Sequence, residues 1–335
     1  MRHMARYFEN GTGDLVSDAL SGFARAHADL VRYDPANGYV TARHTSPGRR
    51  VGLLSGGGSG HEPLHAGYVG AGMLDAACPG RIFASPHNRQ IFRASLAVAG
   101  PEGVLHIVKN YTGDRINFGI AAERLADAGI TCSRVLVDDD LATESENIAA
   151  GRRGTGATVL LEKVLGAAAD TGMGHERLAE LGTALAGRCR TLAAASAAHH
   201  SPATGEPAFV LPAGELEYGV GIHGERAART RDQGQVGDLV EEMTGALLDA
   251  VRPGPEECVV ALVNGLGSVT VLELYGIFGE LGRVLDDRGV RLARQLVGDY
   301  VTALDMRGFS LTLMAADEAT LNFYDAPVHT PALRW

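Results

Sequence analysis

The sequence predicts an α/β protein of two α/β domains, the first with a largely parallel sheet flanked by helices and the second with a mixed sheet. Three observations carry this. Short apolar strands at RRVGLLS, at 103–110 (GVLHIVKN) and at about 133–140 (SRVLVDDD) alternate with helical segments at 14–31 and around 116–128, the spacing of a parallel sheet. Each of those strands ends in a polar segment: GGGSGH, KNYTGD or DDD. Near the C-terminus, 292–305 and 309–315 read as strands that follow one another without a helix between them, as in an antiparallel or mixed region.

Taken in order, residues 14–31 place apolar side chains at helical spacing, with Asp14 positioned as a cap. The strand before the glycine run is expected to end in a glycine-rich turn. A second amphipathic, alanine-rich helix is expected over 176–195, followed by a loop at 199–208 (HHSPATGEPA) and a strand-like FVL. Helices over about 236–251 and 270–288 bracket a strand-turn, ECVVALVNGLG. The domain boundary is expected near 190, giving an N-terminal domain 1–190 with a glycine-rich substrate loop and a C-terminal domain 191–335.

Composition narrows the function classes. The chain has 335 residues, 45% hydrophobic and 21% charged, with a net charge of -10. That is a globular balance and the wrong sign for a nucleic-acid grip. No apolar run is long enough to span a bilayer, no signal peptide is visible, and a cytoplasmic location is expected. The four cysteines, Cys78, Cys132, Cys189 and Cys258, are scattered without a C-x-x-C pair, so no zinc or dithiol motif is indicated. Only two lysines occur, Lys109 and Lys163. Because the default cation here is arginine, each lysine stands out.

In open parallel sheets, ligands bind beyond the carboxyl ends of the strands. The run Ser55-Gly56-Gly57-Gly58-Ser59-Gly60-His61 is the most unusual such end. It allows close backbone approach to a ligand. It is no Walker loop, since no Gly-Lys-Ser/Thr follows, and His61 spoils a dinucleotide fingerprint. A merely tight turn is the competing reading. Among His61, His65, His87, His199, His200 and His223, two stand out. His61 ends the glycine run, and His223 lies between glycines in Gly221-Ile222-His223-Gly224. His199 and His200 read as solvent-exposed loop residues. Asp138-Asp139-Asp140 attracts a magnesium reading, but neighbours on a strand point to opposite faces. One of the three, Asp139 for example, is expected to line the crevice, and no metal site is expected.

Together the runs SGGGSGHEPLHAGYVGAGMLDAA, RIFASP, VKNYTGDRINFGIAAER, VDDD, GRRGTGATVLLEKVLGAAA, ELEYGVGIHGE, VNGLGSVTVLELY, TALDMRGFSLTLM and DAPVHTPA resemble the K-type family of dihydroxyacetone kinases, over most of the chain. The resemblance implies a phosphotransferase subunit, usually a homodimer. Its substrate is dihydroxyacetone or a similar short ketose, held as a hemiaminal on a histidine that falls on His223. It further implies substrate-binding roles for Gly58, His61, Lys109 and Asp114, with His61 and Asp114 as acceptors of the hydroxyl proton. No cofactor is implied in this chain. ATP or ADP with magnesium is expected on a partner L subunit, whose helical domain the 335 residues leave no room for, and a phosphotransferase-system M component is a possible further partner. The chain departs from the pattern at AAASAAHHSPATGEP, at ASPHNRQIF and at Gly224-Glu225-Arg226-Ala227, where Gly-Glu-Pro-Gly is common. These departures bear on substrate size, so a four-carbon ketose such as erythrulose is an alternative. A ketose-sensing coactivator of a transcription regulator is another, and only the kinase subunit needs a proton acceptor.

Overall fold

The computed structural model describes residues 7–10, 15–143, 151–226 and 229–335. The chain divides into two units. The first comprises Gly11–Asp138, Thr158–Gly187 and Ala319–Trp335, and the second Met1–Asn10, Asp139–Ala157 and Arg188–Glu318.

The first unit begins with helix α1 (Leu15–Ala26) and the hairpin β1 (Val31–Asp34) and β2 (Tyr39–Ala42). The expected Asp14 cap lies outside the described residues. Strands β3 (Gly52–Ser59), β4 (Ala76–Ile82), β5 (Val104–Lys109) and β6 (Cys132–Val137) complete a six-stranded sheet in the order β1-β2-β4-β3-β5-β6. The β4-β3-β5-β6 portion is parallel and the hairpin joins it antiparallel, as the alternating pattern predicts. Helices α2 (Asn88–Val98) and α3 (Thr112–Asp127) pack against it, with Ile91, Ala94, Phe118 and Ala121 meeting Leu54, Ala76 and Val108 in one core. Helix α4 (Ala157–Asp170) is apolar apart from Thr158, Glu162, Lys163 and the terminal Asp170, and is buried along nearly its whole length, as near all-round hydrophobicity requires. Helix α5 (His175–Gly187) packs on β6, where Gly182 faces Val135.

The second unit carries β7 (Cys189–Ala197), β8 (Glu215–Tyr218), β9 (Arg229–Asp232), α6 (Val236–Val251), β10 (Cys258–Gly265), α7 (Val271–Asp287), β11 (Leu292–Gly298) and β12 (Arg307–Ala316). Its sheet runs β11-β10-β12-β7-β8-β9, parallel only between β10 and β11, so the mixed sheet is present. Helices α6 and α7 bury Leu239, Met243, Leu247, Leu274 and Leu281 on β10 and β12. Thr270 and Glu273 form a reciprocal capping box that starts α7. A short helix α8 (Glu318–Tyr324) follows β12.

Three local expectations give way. The glycine run is not a turn after the strand but part of β3, buried throughout and paired with β4 and β5. The helix expected over 176–195 ends at Gly187, and 189–197 is strand β7. Alanine favours helix intrinsically, but here small residues fill a central strand between β12 and β8, and tertiary pairing outweighs propensity. No strand forms at FVL.

Asp138–Asp140 follow β6 and diverge, as alternation requires. Asp140 lines a small cavity with Thr155, Thr191 and Ile222, whereas Asp139 is fully buried. Its carboxylate accepts from the Thr155 N–H at 2.7 Å, the Thr155 hydroxyl at 2.8 Å, the Ala157 N–H at 2.9 Å and the Thr191 hydroxyl. It therefore ties residues 155–157 to β7 within the second unit. Asp140 turns instead to Arg153, at 2.6 Å. We expect Asp139→Ala to lower unfolding free energy by about 3 kcal/mol, because it removes a charged cap and strands several buried donors. Urea denaturation measures this, and a loss below about 0.5 kcal/mol would show that the cap is dispensable.

Candidate active site

The glycines of β3 place a charged group where a side chain would otherwise lie. A Cβ on Gly57 would overlap the Lys109 ammonium, at the end of neighbouring β5. A Cβ on Gly56 would come within 2.7 Å of the Cys78 carbonyl. At Gly58 it would come within 2.8 Å of Phe83 Cα and 2.7 Å of Ala84 N, distances no real Cβ tolerates. The run therefore admits close approach of protein neighbours.

Lys109 is 1% exposed. Its ammonium donates to His65 Nε2 at 2.9 Å, and His65 Nδ1 meets Glu162 Oε1 at 2.6 Å. An imidazole that accepts at Nε2 carries its proton on Nδ1 and donates it to the carboxylate. Burial, reinforced by the neighbouring Lys109 charge, holds the His65 pKa well below the usual range, so the ring is neutral. Burial also lowers Lys109, opposed by the charges of Asp114, Glu162 and Glu62, and raises Glu162, opposed by Lys109.

His61 is fully buried just beyond the strand, its ring stacked on Phe83 at 4.9 Å between centroids. Phe83 takes a left-handed φ of 52°, an uncommon conformation outside glycine, and so sets both its ring over His61 and its backbone against Gly58. Asp114 is buried in the first turn of α3, where the helix N-terminus favours a carboxylate. Gly58, His61, Lys109 and Asp114 all belong to the first unit.

His223 belongs to the second unit. It stands at the third position of a turn closed by the Gly224 N–H on the Gly221 carbonyl at 3.0 Å and by the Gly221 N–H on the Glu225 carbonyl at 2.9 Å. Both glycines are needed. A Cβ at Gly221 would strike Arg153 and Glu225, and Gly224 has a φ of 79° and lies against His199. Glu225 accepts from the His223 backbone N–H and meets its Nδ1, each at 2.9 Å. Burial alone would raise the Glu225 carboxyl, but His223 and Arg153 hold it down to about 2, so it is a carboxylate across the working pH range. Arg153 bonds Asp140 and the Gly219 carbonyl, the latter at 3.0 Å, and lies 3.9 Å from Glu225. Burial pushes Asp140 up to about 6 despite Arg153.

The remaining histidines sort differently. His87 caps α2, and His200 meets Asp305 at 3.1 Å. His199 is buried against Gly224, not exposed as its loop composition suggested. The sequence reading passed over His65 as a site residue, along with Glu162, Arg153 and Glu225. A glutamate two residues after a glycine-flanked histidine, and a lone Glu-Lys pair in an apolar helix, were the available signals. Among the described residues no cluster of three or more His, Cys, Asp or Glu side chains is arranged to hold a metal ion, and no helix is long and apolar enough to cross a membrane.

A model of the Dak1 domain matches residues 21–332. The chain belongs to the Dak1 family. It is 42% identical, over 97% of its length and 98% of the relative's, to the dihydroxyacetone-binding subunit of the PEP-dependent dihydroxyacetone kinase of Escherichia coli. Among solved structures it is similar to the dihydroxyacetone kinase of C. freundii, with a TM-score of 0.90 and 34% identity, covering 99% of this chain and 60% of that kinase. It is also similar to a dihydroxyacetone kinase operon co-activator, with a TM-score of 0.90 and 32% identity, covering 96% of this chain and 98% of that one.

A carboxylate facing Nδ1 favours the Nδ1–H tautomer of an imidazole, which leaves the lone pair on Nε2. Long-range ¹⁵N–¹H correlation spectra should show Nδ1–H in the native chain, and Glu225→Ala should release that preference. A native Nε2–H signal would rule out the arrangement.

Proposed function

We propose that this chain is the ketose-binding subunit of a dihydroxyacetone kinase, and that the single observation carrying the reading is the glycine-flanked His223, oriented through Nδ1 by Glu225. A lone pair on Nε2 is a nucleophile for a ketone carbon. The N–C bond forms as the carbonyl π bond opens. The oxygen takes a proton from solvent to become a hydroxyl, and the positive charge left on the ring is balanced by Glu225. A three-carbon ketose offers little surface for binding. A reversible covalent bond supplies the missing discrimination, since glycerol has no carbonyl.

In this reading Gly58 and Lys109 serve the hydroxyl groups of the ketose. Asp114 or His61 accepts the proton as the terminal hydroxyl attacks the phosphoryl donor. Holding that hydroxyl for in-line attack is the main protein contribution to phosphoryl transfer. The donor is carried by a separate nucleotide-bearing L subunit, with ADP or ATP and magnesium held there; transfer onward from a phosphotransferase-system M component fits the PEP-dependent character of the Escherichia coli relative. The functional form is a homodimer in the cytoplasm.

The co-activator among the similar structures supports a second reading, a ketose sensor. It needs the covalent histidine but no proton acceptor, and the presence of both His61 and Asp114 favours the kinase. Whether the ketose is dihydroxyacetone or a four-carbon analogue such as erythrulose is tested by comparing their affinities.

A crystal soaked with dihydroxyacetone should show continuous density from His223 Nε2 to the ketone carbon, and His223→Ala should abolish the adduct and erase the preference for ketone over glycerol. Separated density would sink the covalent reading. Asp114→Asn keeps a hydrogen-bonding group but cannot take a proton. It should retain ketone affinity within a few-fold while turnover with an L subunit falls by about 10²–10⁴. Undiminished turnover would exclude Asp114 as the base.

A further inference from the structure

The buried chain Glu162–His65–Lys109 has no part in the proton transfers assigned above, yet it places three ionisable groups where burial is costly. Glu162 is fully buried, His65 is 4% exposed and Lys109 is 1% exposed. Taking an ammonium or a carboxylate out of water is costly, and hydrophobic residues of similar volume are often at least as stable. The geometry is nonetheless specific. His65 bridges the two groups through its two ring nitrogens, at 2.9 Å to Lys109 Nζ and 2.6 Å to Glu162 Oε1. Gly57 leaves the space the ammonium occupies. The bridge uses one of the three ammonium protons and fixes the direction of the other two.

We propose that Glu162 and His65 are positioning residues for Lys109, holding its ammonium in place and charged so that it donates to a hydroxyl of the bound ketose. This rests on the reading of Lys109 as a substrate-hydroxyl donor. The neutral His65 ring couples Glu162 to Lys109 through two hydrogen bonds, and burial strengthens each of them. The other charged or titratable groups around Lys109 and His65 are Asp114, Glu62 and His61, and all remain in the variants below.

The test measures ketone affinity by calorimetry on the purified chain, using dihydroxyacetone and hydroxyacetone, which lacks one hydroxyl. A bound hydroxyacetone can orient its single hydroxyl away from Lys109, so only dihydroxyacetone depends on the ammonium. The affinity ratio of the two ketones therefore reports Lys109. Lys109→Met should lower that ratio by roughly tenfold, the worth of one charge-assisted hydrogen bond. Glu162→Gln should lower it by a similar factor, and should have little further effect in the Lys109→Met background. It should also move the alkaline limb of dihydroxyacetone affinity to lower pH. The cation is needed for binding and is lost as pH rises through the Lys109 pKa, which Glu162 raises. A merely structural role would weaken both ketones equally and leave the limb in place, and that outcome overturns the proposal. Should Glu162→Gln fail to fold, His65→Gln is read by the same ratio. If Lys109→Met itself leaves the ratio unchanged, the assignment of Lys109 to substrate falls, and the positioning role with it. If Lys109→Met lowers the ratio while folded Glu162→Gln does not, only the positioning role falls.

Discussion

A central strand that lacks side chains over three consecutive residues is the constraint on which the first unit is built. Gly56, Gly57 and Gly58 belong to β3, which is buried on both faces between β4 and β5. In an ordinary buried strand these positions would carry branched apolar residues. Here each omitted Cβ admits a specific neighbour: the Cys78 backbone, the Lys109 ammonium, and the backbone of Phe83 and Ala84. Removing side chains weakens a strand intrinsically. The loss is offset by ladder pairing on both edges. What is gained is a lysine drawn into the sheet, which then requires His65 and Glu162 as counter-partners.

The second unit solves a similar problem with different parts. His223 has to stand at a turn tip and still be held by Nδ1. Glu225, which holds it, and Arg153 beside Glu225 lie where a side chain on Gly221 would be. Gly224 adopts a left-handed φ and admits His199. Arg153 is secured by Asp140 and the Gly219 carbonyl, while the adjacent Asp139 secures residues 155–157. The acidic run that reads in sequence as a metal lure is thus two separate braces, one for the turn that presents His223 and one for that segment.

Much of this was legible in sequence, and the exceptions share a cause. The parallel strands at 104–109 and 132–137, the helices at 236–251 and 271–287 and, in the second sheet, the strands at 258–265, 292–298 and 307–316 announce themselves through periodicity. The element at 189–197 did not, because alanine carries no β-pattern and only its neighbours make it a strand. Strand β4 carries no clear signal in sequence, since Pro79 and Gly80 interrupt its apolar run, and Gly80 is there because the Ala84 carbonyl lies against it. The glycine run was read as a close-approach device but placed after the strand instead of within it. The long-range partners were invisible in principle. Nothing local to Glu162 says that it faces His65, 97 positions away.

The histidines make the general point, since residue type alone does not sort them. His65 is kept neutral by burial and by the cation it touches, which makes it a connector and not a switch. His61 is equally buried but stacked on Phe83 beside a strand end. His223 is only partly buried and is tethered at one nitrogen by a carboxylate that stays ionised down to about pH 2. A nucleophilic imidazole has to be neutral, fixed in tautomer and reachable by ligand. Deep burial would supply neutrality at the expense of access, and full exposure would supply access without orientation. A turn with glycine on either side of the Ile222-His223 pair and a glutamate two residues on supplies orientation at a partly exposed position. That is why the short motif GIHGE is more informative than any other histidine context in the chain.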